Sequence, residues 1–413
     1  MIKKKLNIAI FHLAFFYSGG GEKLVLKEIE GLQKQGHHVD CFVPTMNKKQ
    51  CYPDIISKYP IRTFLPGFSK IFPNAQSLKI LITCLFFPLV AKRFKEYDVI
   101  FGANQPGPWL AWIIKKVTGR PCVIYLAQPT RILYPRKIDR EQSLWVDRKV
   151  RLLPLLVKIF KPVFSLADRI SIKGADRVLA NGSYIAGVLK RIYGITPIVC
   201  PAGAITVNNL VKERWTGLVR ANGFKINKPY LLITNRHFPQ KKFEYAIDAM
   251  PSVIEKYPDI KLVITGNNTP YTDYLKKIVK KMKISKNVLF TGYIKDQDLI
   301  KLYENAVVYV YTSPEEDFGM GVIEAMGAGV PVVAWNKAGP ATTIIHNQTG
   351  ILVKPFSQKE FTEGIVDLIK NINKNQILGE SARAHVGENY TFQKHNDILE
   401  GQLIETAAKD DNH

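Results

Sequence analysis

Residues 311–335 read YTSPEEDFGMGVIEAMGAGVPVVAW, and this stretch decides the predicted fold. An apolar strand at 306–311 leads into an acidic loop. A helix with glycines at its start follows the loop, and a second apolar strand covers 330–334. A strand, loop, helix and strand in this order predict one repeat of a parallel α/β sheet.

The junction of the loop and the helix carries groups suited to a charged ligand. Gly319 and Gly321 let the backbone come close to a ligand. The unpaired N–H groups at the start of the predicted helix, 320–328, favour phosphate. Glu316 and Glu324 flank this helix start with seven residues between them. A diphosphate here would leave one carboxylate for a sugar and one for a nucleoside, so the stretch predicts a sugar-nucleotide site.

The same residues resemble a known family signature. Glu316-x7-Glu324, set in PEEDFGMGVIEAMGAGVPVVA, is similar to the E-x7-E motif of family 4 of the glycosyltransferases, the "group 1" retaining enzymes of GT-B fold. The resemblance implies that Glu316 contacts the transferred sugar, together with the amides of Phe318, Gly319 and Met320. It implies that Glu324 hydrogen-bonds the ribose hydroxyls. The alternative is a pair of solvated glutamates on a surface helix.

The chain of 413 residues is too long for one ordinary core and predicts two domains. With the resemblance, we expect a GT-B architecture of two Rossmann-like, doubly wound α/β domains facing a central cleft. The expected boundaries are an acceptor-binding domain at 1–204, a linker at 205–228, and a nucleotide-sugar-binding domain at 229–385. A terminal helix at 386–413 is expected to return toward the first domain.

The five cysteines are odd in number and widely spaced, and none forms a CxxC pair. This argues for a reducing compartment and against a disulfide framework or a structural zinc site. The N-terminal sequence MIKKKLNIAIFHLAF has basic residues before an apolar run, as a signal peptide does. The run is short and leads directly into a glycine loop, so it predicts a first buried strand instead.

Charge is distributed unevenly along the chain. The net charge is +23, and the first 200 residues hold 32 Lys and Arg against 12 Asp and Glu, a balance of +20. The first half therefore predicts an anionic partner, which could be nucleic acid, a phosphorylated substrate or an anionic membrane surface. The alternative is a solubility effect without a specific partner.

The first half opens as a βαβ unit. A strand at 6–12 is followed by a glycine loop with Gly20 and Gly21, a helix at 23–35 and a strand at 39–43. The glycine turn resembles the N-domain loop of family 4 enzymes, which implies that Gly20 and Gly21 make room for the acceptor and the donor phosphate. Further strands are predicted at 99–102, 123–126, 177–180 and 197–200.

The stretch at 125–134, YLAQPTRILY, resembles a mannosyltransferase-type motif that runs Tyr-Cys-His-x-Pro-x-Arg. Tyr125, Pro129 and Arg131 match the motif, so the resemblance assigns Arg131 to the donor site. The histidine of the motif, which contacts the donor sugar in the family, falls on Ala127. This departure leaves the identity of the sugar open.

Two apolar segments interrupt the alternation of strands and helices. The run at 78–91 is too short to cross a bilayer, which takes ~20 residues. At 148–173 basic residues alternate with Leu, Ile, Val and Phe. Both segments predict either amphipathic contact with an anionic bilayer or core helices whose lysines extend to solvent.

The second domain opens with a strand at 230–234 and a turn that carries Arg236 and Lys241. The pattern Arg-x-x-Pro-x-Lys resembles the diphosphate clamp of family 4, although Lys242 stands where the family has glycine. Gly266 ends the next strand, at 261–265. Because the carboxyl ends of parallel strands gather at one edge of a sheet, these residues are expected to lie near Glu316.

The resemblance to family 4 implies a retaining hexosyltransferase with Glu316, Arg236 and Lys241 as catalytic residues. The donor would be a GDP- or UDP-sugar, with mannose favoured, and the acceptor a glycan or a lipid-linked saccharide in polysaccharide or glycoconjugate synthesis. We expect no metal, no permanently bound cofactor and no nucleic acid, and a cytoplasmic protein peripheral on the inner face of a membrane. The alternatives are another GT-B enzyme such as a sugar-nucleotide epimerase, and a basic nucleic-acid-binding protein.

Overall fold

The structure is a computed structural model, and it divides into two compact units. Unit 1 comprises Met1–Ala202 and Phe392–His413, and unit 2 comprises Gly203–Thr391. The residues that the structure describes are 4–16, 18–53, 55–64, 80, 82, 84–141, 159–207, 214–227 and 229–410. Each unit is built on one parallel sheet with helices, so the prediction of an α/β fold is confirmed.

Unit 1 contains a sheet of seven parallel strands in the order β3-β2-β1-β4-β5-β6-β7. The central strands are continuous apolar runs buried on both faces, as expected for a parallel sheet covered by helices. The strands are β1 Asn7–His12, β2 His38–Val43, β3 Ile61–Thr63, β4 Val99–Ala103, β5 Cys122–Leu126, β6 Arg177–Ala180 and β7 Ile198–Val199.

The helices that alternate with these strands are α1 Gly20–Lys34, α2 Gly107–Thr118, α3 Lys137–Glu141, α4 Lys161–Lys173 and α5 Ser183–Tyr193. Short 3-10 turns cover Ile56–Lys58, Phe87–Leu89 and Ala91–Phe94. Helix α1 begins three residues earlier than predicted, because Gly19 is its N-cap in an extended conformation. Gly20 and Gly21 therefore lie in the first helical turn and not in a loop.

The predicted apolar segment 78–91 is split between core and surface in its described part. Phe87 and Ala91 are fully buried, and the Phe87 ring packs edge-on against Phe11. Leu85 and Leu89 are 67% and 79% exposed. Residues 78, 79, 81 and 83 lie outside the described residues, and so do 148–158 of the second segment.

Unit 2 contains a sheet of six parallel strands in the order β12-β11-β10-β13-β14-β15 and a separate antiparallel pair, β8 and β9. Their bounds are β8 Leu218–Ala221, β9 Phe224–Asn227, β10 Tyr230–Thr234, β11 Lys261–Thr265, β12 Val288–Gly292, β13 Val308–Tyr311, β14 Val332–Trp335 and β15 Gly350–Val353.

The helices of unit 2 are α6 Glu244–Lys256, α7 Pro270–Lys281, α8 Asp296–Asn305, α9 Met320–Gly327, α10 Pro340–Thr343, α11 Gln358–Lys370 and α12 Ile372–Asn389. A 3-10 turn covers Pro239–Lys241. The last helix, α13 Phe392–Asp410, belongs to unit 1.

The described part of the predicted linker, 205–228, is structured and belongs to unit 2. It contains the β8–β9 pair, which turns at Asn222 and Gly223, both at positive φ. Just before this pair, the buried Arg214 guanidinium donates hydrogen bonds to the carbonyls of Ala328 (2.8 Å) and Gly329 (2.6 Å), at the end of α9. This segment therefore supports the helix that carries Glu324.

Both sheets reverse their strand order at one point. In unit 1 the reversal lies between β1 and β4, and in unit 2 between β10 and β13. Ligands of doubly wound sheets bind beyond the carboxyl ends of the strands at such a point. In unit 2 this position is formed by the loops that follow Thr234 and Tyr311.

Candidate functional site

An ion pair joins the two loops at the strand-order reversal of unit 2. The Lys241 ammonium, in the loop after β10, donates a hydrogen bond to the Glu316 carboxylate, in the loop after β13. The side chains are 12% and 19% exposed, so water screens this pair only in part. Thr312 fixes the lysine backbone, because its hydroxyl donates a hydrogen bond to the Lys241 carbonyl at 2.7 Å.

The helix start after Glu316 has the geometry that its glycines require. Gly319 is the N-cap of α9 with φ +97°, a left-handed conformation that favours glycine. A Cβ on Gly321 would lie 2.3 Å from the Tyr309 hydroxyl oxygen, and a Cβ on Gly339 would lie 2.6 Å from the Phe318 backbone. The Gly339 N–H also donates to the Glu316 carbonyl at 2.8 Å. These contacts hold the loop and the first amides of α9, from Met320 on, in place.

The second predicted carboxylate is held by a buried tyrosine. Glu324 lies on α9, and its Oε2 accepts a hydrogen bond from the Tyr303 hydroxyl at 3.0 Å. Glu316 is held similarly, because its Oε2 accepts from the Tyr311 hydroxyl at 2.8 Å. Burial raises the pKa of both tyrosines well above the ordinary value, so both hydroxyls stay protonated donors at neutral pH.

The remaining predicted residues of unit 2 surround this pair of loops. Arg236 lies directly after β10, with its guanidinium 5.5 Å from the centre of the Phe238 ring. Gly266 ends β11 at φ +137°, where a Cβ would lie 1.7 Å from the Asn235 carbonyl oxygen. Only glycine fits so close to the Arg236 loop. Phe318 is buried, and its ring lies edge-on to Tyr390 at 6.0 Å.

The other predicted site residues, Gly20, Gly21 and Arg131, belong to unit 1. The two glycines form the first turn of α1. Arg131 is partly buried in the loop after β5. In this loop the Thr130 hydroxyl donates to Asp168 of α4 at 2.6 Å. The structure thus brings Lys241 and Glu316 into contact in unit 2, with Glu324 bound separately to Tyr303, while the two glycines and Arg131 lie on different elements of unit 1.

Sequence reasoning missed the hydroxyl groups of Tyr303 and Tyr311, which hold the carboxylates, and that of Thr312, which holds the Lys241 backbone. A signal for Tyr311 exists in the sequence VYVY of β13, because a period of two places Tyr309 and Tyr311 on one face of the strand. Tyr303 has no such signal, since it lies on a different helix from Glu324 and 21 residues away in sequence.

Comparison with known proteins places the chain in a family. The family described as "Glycosyl transferases group 1" matches residues 218–385, and "Glycosyltransferase Family 4" matches residues 18–204. The chain belongs to this glycosyltransferase family. The recognition made from the E-x7-E stretch is therefore confirmed, and the protein is a glycosyltransferase.

Similar proteins of known name agree with this assignment. An alpha-1,3/1,6-mannosyltransferase, ALG2, of Rhizomucor pusillus is 23% identical over 98% of this chain and 93% of its own length. A GDP-mannose-dependent alpha-(1-6)-phosphatidylinositol monomannoside mannosyltransferase of Mycobacterium tuberculosis is 28% identical, over 45% of this chain and 48% of its own length.

Among solved structures, Anabaena HepE in complex with UDP and glucose matches with a TM-score of 0.71 and 17% identity, over 96% of this chain and 99% of its own. The fold is therefore GT-B, with two Rossmann-like domains, as predicted. No helix in the described part of the chain has the length and hydropathy needed to span a membrane.

Proposed function

We propose that the protein transfers a hexose from a nucleotide diphosphate sugar to an acceptor hydroxyl with retention of configuration. The observation that carries the proposal is the contact between Lys241 and Glu316 at the strand-order reversal of unit 2. An ammonium has three N–H donors, so Lys241 can bind Glu316 and diphosphate oxygens together. This arrangement joins a phosphate-binding group to a sugar-binding group in one site.

In the proposed reaction the bond from the anomeric carbon to the diphosphate breaks, and a bond from that carbon to the acceptor oxygen forms on the same face. The leaving diphosphate takes the acceptor proton. Arg236, Lys241 and the first amides of α9 stabilise the charge that develops on the diphosphate, with no metal ion. Glu316 binds the sugar and Glu324 the ribose. The acceptor binds unit 1, and Gly20, Gly21 and Arg131 of that unit contribute to substrate binding.

The favoured donor is GDP-mannose. The named relatives are mannosyltransferases, and one of them is GDP-mannose-dependent. A UDP-sugar is the alternative, because a neighbour of the same fold was solved with UDP and glucose. Ala127 stands in place of the family histidine and lacks its contact to the sugar. The identity of the hexose is therefore determined by testing a panel of donors.

The test is incubation with a panel of GDP- and UDP-sugars and saccharide acceptors, with and without EDTA, while release of nucleoside diphosphate is measured. We expect release from one donor, undiminished by EDTA, and a product whose anomeric configuration by NMR matches the donor. Conversion of a sugar nucleotide into its epimer without acceptor would favour the epimerase alternative. Absence of release from every donor, with salt-sensitive retention on DNA or RNA, would favour the nucleic-acid alternative.

We further propose that the acceptor is lipid-linked and that the protein is cytoplasmic, peripheral on the inner face of a membrane. The support is an apolar face on α4, where Val163, Leu166 and Ile170 are 64%, 60% and 44% exposed. Their spacing of three and four residues places them on one side of the helix. Lys161 and Arg169 are exposed on the same helix, as expected for shallow insertion among anionic headgroups.

Sedimentation with anionic vesicles tests this location. Val163→Ser with Leu166→Ser should reduce binding, whereas Val199→Ser, which changes an exposed valine of β7, should not. High salt should release the wild-type protein. The segment at 148–173 also predicts that binding is lost when its basic residues Arg148, Lys149, Arg151, Lys158 and Lys161 are changed to Gln; of these five, Lys161 alone lies among the described residues. A protein that stays in the supernatant at low salt would make a soluble acceptor the better proposal.

A further inference from the structure

Three tyrosines lie together beside the two predicted carboxylates of unit 2. Tyr303 comes from α8, and Tyr309 and Tyr311 come from one face of β13. The Tyr303 and Tyr309 ring centres are 5.6 Å apart, and those of Tyr309 and Tyr311 are 6.2 Å apart. All three residues are at most 3% exposed. The three rings form a packed row, which we call the tyrosine row.

The hydroxyls at the ends of the row bind different carboxylates. Tyr311 donates to Glu316 Oε2 at 2.8 Å, and Tyr303 donates to Glu324 Oε2 at 3.0 Å. The middle hydroxyl, that of Tyr309, lies 2.8 Å from Thr234 Oγ1 and 3.2 Å from the Thr234 carbonyl. Two hydroxyls of the tyrosine row thus contact carboxylates, and the third contacts a neutral threonine.

The positions of the hydrogens follow from the number of donors. A tyrosine or threonine hydroxyl has one hydrogen to donate. Because Tyr303 gives its hydrogen to Glu324, the 2.7 Å contact between Tyr303 and Thr234 requires Thr234 Oγ1 as the donor. Tyr309 must then donate to Thr234. The bond from Tyr303 to Glu324 does not require the Tyr309 hydroxyl, because Thr234 can donate to Tyr303 without it.

The row is also suited to hold ionised carboxylates. Burial raises the pKa of Tyr309 as well as those of Tyr303 and Tyr311, so all three are neutral donors at physiological pH. A hydrogen bond from a neutral donor to a carboxylate limits its rotation without neutralising its charge. Both carboxylates can then present a defined acceptor oxygen to a sugar or ribose hydroxyl.

We propose that Tyr311 and Tyr303 are positioning residues that hold the two carboxylates separately, Tyr311 for the transferred sugar and Tyr303 for the nucleoside. The inference rests on the proposed function, because Glu316 and Glu324 have these roles only in a transferase that uses a sugar nucleotide. It adds that a tyrosine hydroxyl contributes to each role, beside the Lys241 ammonium at Glu316, and that removal of either hydroxyl impairs one step and leaves the other intact.

The test compares Tyr311→Phe, Tyr303→Phe and Tyr309→Phe, which keep the packed rings and remove one hydroxyl each. Tyr311→Phe should lower kcat about tenfold and leave the Kd for nucleoside diphosphate unchanged. Tyr303→Phe should raise that Kd about tenfold. Tyr309→Phe is the matched control, with kcat and Kd within about twofold of wild type and thermal stability lowered like that of the other two.

A second comparison separates positioning from a purely structural role. If Tyr311 acts through Glu316, Tyr311→Phe should have little further effect on kcat in a Glu316→Gln background. An undiminished effect in that background would overturn the proposal. Equal changes of kcat and Kd in all three single variants would overturn it as well, because the hydroxyls would then only stabilise the fold.

The failure of the proposed function would look different. Wild-type protein that releases no nucleoside diphosphate from any sugar nucleotide would refute hexosyl transfer, and with it the part assigned to Tyr311. Calorimetric titration with GDP and UDP needs no turnover. The role of Tyr303 in nucleoside binding can therefore still be tested. An unchanged Kd in Tyr303→Phe, with measurable wild-type binding, would refute that role.

Discussion

The two units share a parallel sheet with one strand-order reversal, but they place charged side chains differently. In unit 2 the ion pair of Lys241 and Glu316 lies in the loops beyond the strand ends. In unit 1 the buried pair Glu28–His395 connects the first part of the unit to the last helix, α13. The His37 ring also lies 3.2 Å from Glu400 of α13, but its Nδ1 accepts a hydrogen bond from the Leu6 N–H. Unit 2 has its charged pair in loops at the carboxyl edge of the sheet, whereas unit 1 has its charged pair between packed elements.

The strand-order reversal of unit 1 carries a neutral histidine, in contrast to the ion pair at the reversal of unit 2. His12 ends β1, and its Nδ1 lies 3.0 Å from the carbonyl oxygen of Ala103, which ends β4. Burial lowers the pKa of His12, so the ring is neutral at pH 7. The contrast teaches that a shared strand-order reversal does not fix the use of charge. We expect loss of a charge to affect stability in unit 1 and ligand binding in unit 2.

The largest expected effect is on the Glu28–His395 pair. Both side chains are fully buried, and His395 also has Nδ1 3.0 Å from the Pro201 carbonyl. Glu28→Ala would leave a buried imidazolium without its partner, which costs about 3–5 kcal/mol. The measurement is urea denaturation of the full-length protein, with hydrogen exchange assigned to strands β1–β5.

Glu30→Ala on the same helix is the matched control. Glu30 binds Lys27 and Lys34 at the surface, and exposed pairs contribute at most about 1 kcal/mol. A loss for Glu28→Ala no larger than that for Glu30→Ala would remove the contrast between the units, because the buried pair would then contribute no more than a surface pair.

A smaller effect is expected from pH. Burial lowers the pKa of His395, but hydrogen bonds to Cys200 and Glu28 outweigh burial and raise the pKa to about 10. Because the folded-state pKa lies above the ordinary 6.5, the stability that this group contributes is complete below pH 6.5 and is lost as pH rises through about 10. The neutral ring keeps one hydrogen bond, so the loss should stay below that of Glu28→Ala.

Denaturation midpoints at intervals from pH 6 to pH 10 measure this loss, with His395→Gln as the reference. The variant lacks the titrating ring and should show a flatter profile over the same range. If the two profiles run parallel, other groups cause the pH dependence, and His395 does not hold a proton in the folded state.

The sequence predicts the strands of both sheets well and their connections less well. Continuous apolar runs identify buried strands such as β4 and β13, because a parallel sheet is covered on both faces. The β8–β9 pair was interpreted as a linker, although Asn222-Gly223 is a strong hairpin-turn signal. The start of α1 was placed at Lys23, because three glycines in a row favour a loop in an isolated sequence.

The candidate site, too, could be predicted from the sequence only in part. The rule that strand ends gather at one edge predicted that Lys241 and Glu316 lie close together, and their side chains are in contact although 75 residues separate them. The rule gives no side-chain directions. The tyrosine row depends on how α8 packs against β13, and this packing is set by tertiary contacts that no local pattern records.

The smallest of the three effects concerns Lys241. It tests the unit 2 side of the contrast between the two units. If its ammonium binds the donor diphosphate, Lys241→Ala should weaken binding of nucleoside diphosphate by about 1.5–3 kcal/mol, the range for hydrogen bonds to charged groups. Folding stability should fall less than in Glu28→Ala, because Glu316 is 19% exposed and keeps its bond from Tyr311. Calorimetric titration with GDP and UDP measures the affinity.

The neighbouring lysine provides the control and resolves which of the two binds phosphate. Lys242 has φ +50° and is partly exposed at the end of the 3-10 turn, whereas Lys241 points to Glu316. Lys242→Ala should therefore leave the affinity within about 0.5 kcal/mol of wild type. The reverse result would move the phosphate contact to Lys242 and leave the Lys241–Glu316 pair as a stabilising contact. Unit 2 would then use this charge pair as unit 1 uses its own, and the difference between the units would disappear.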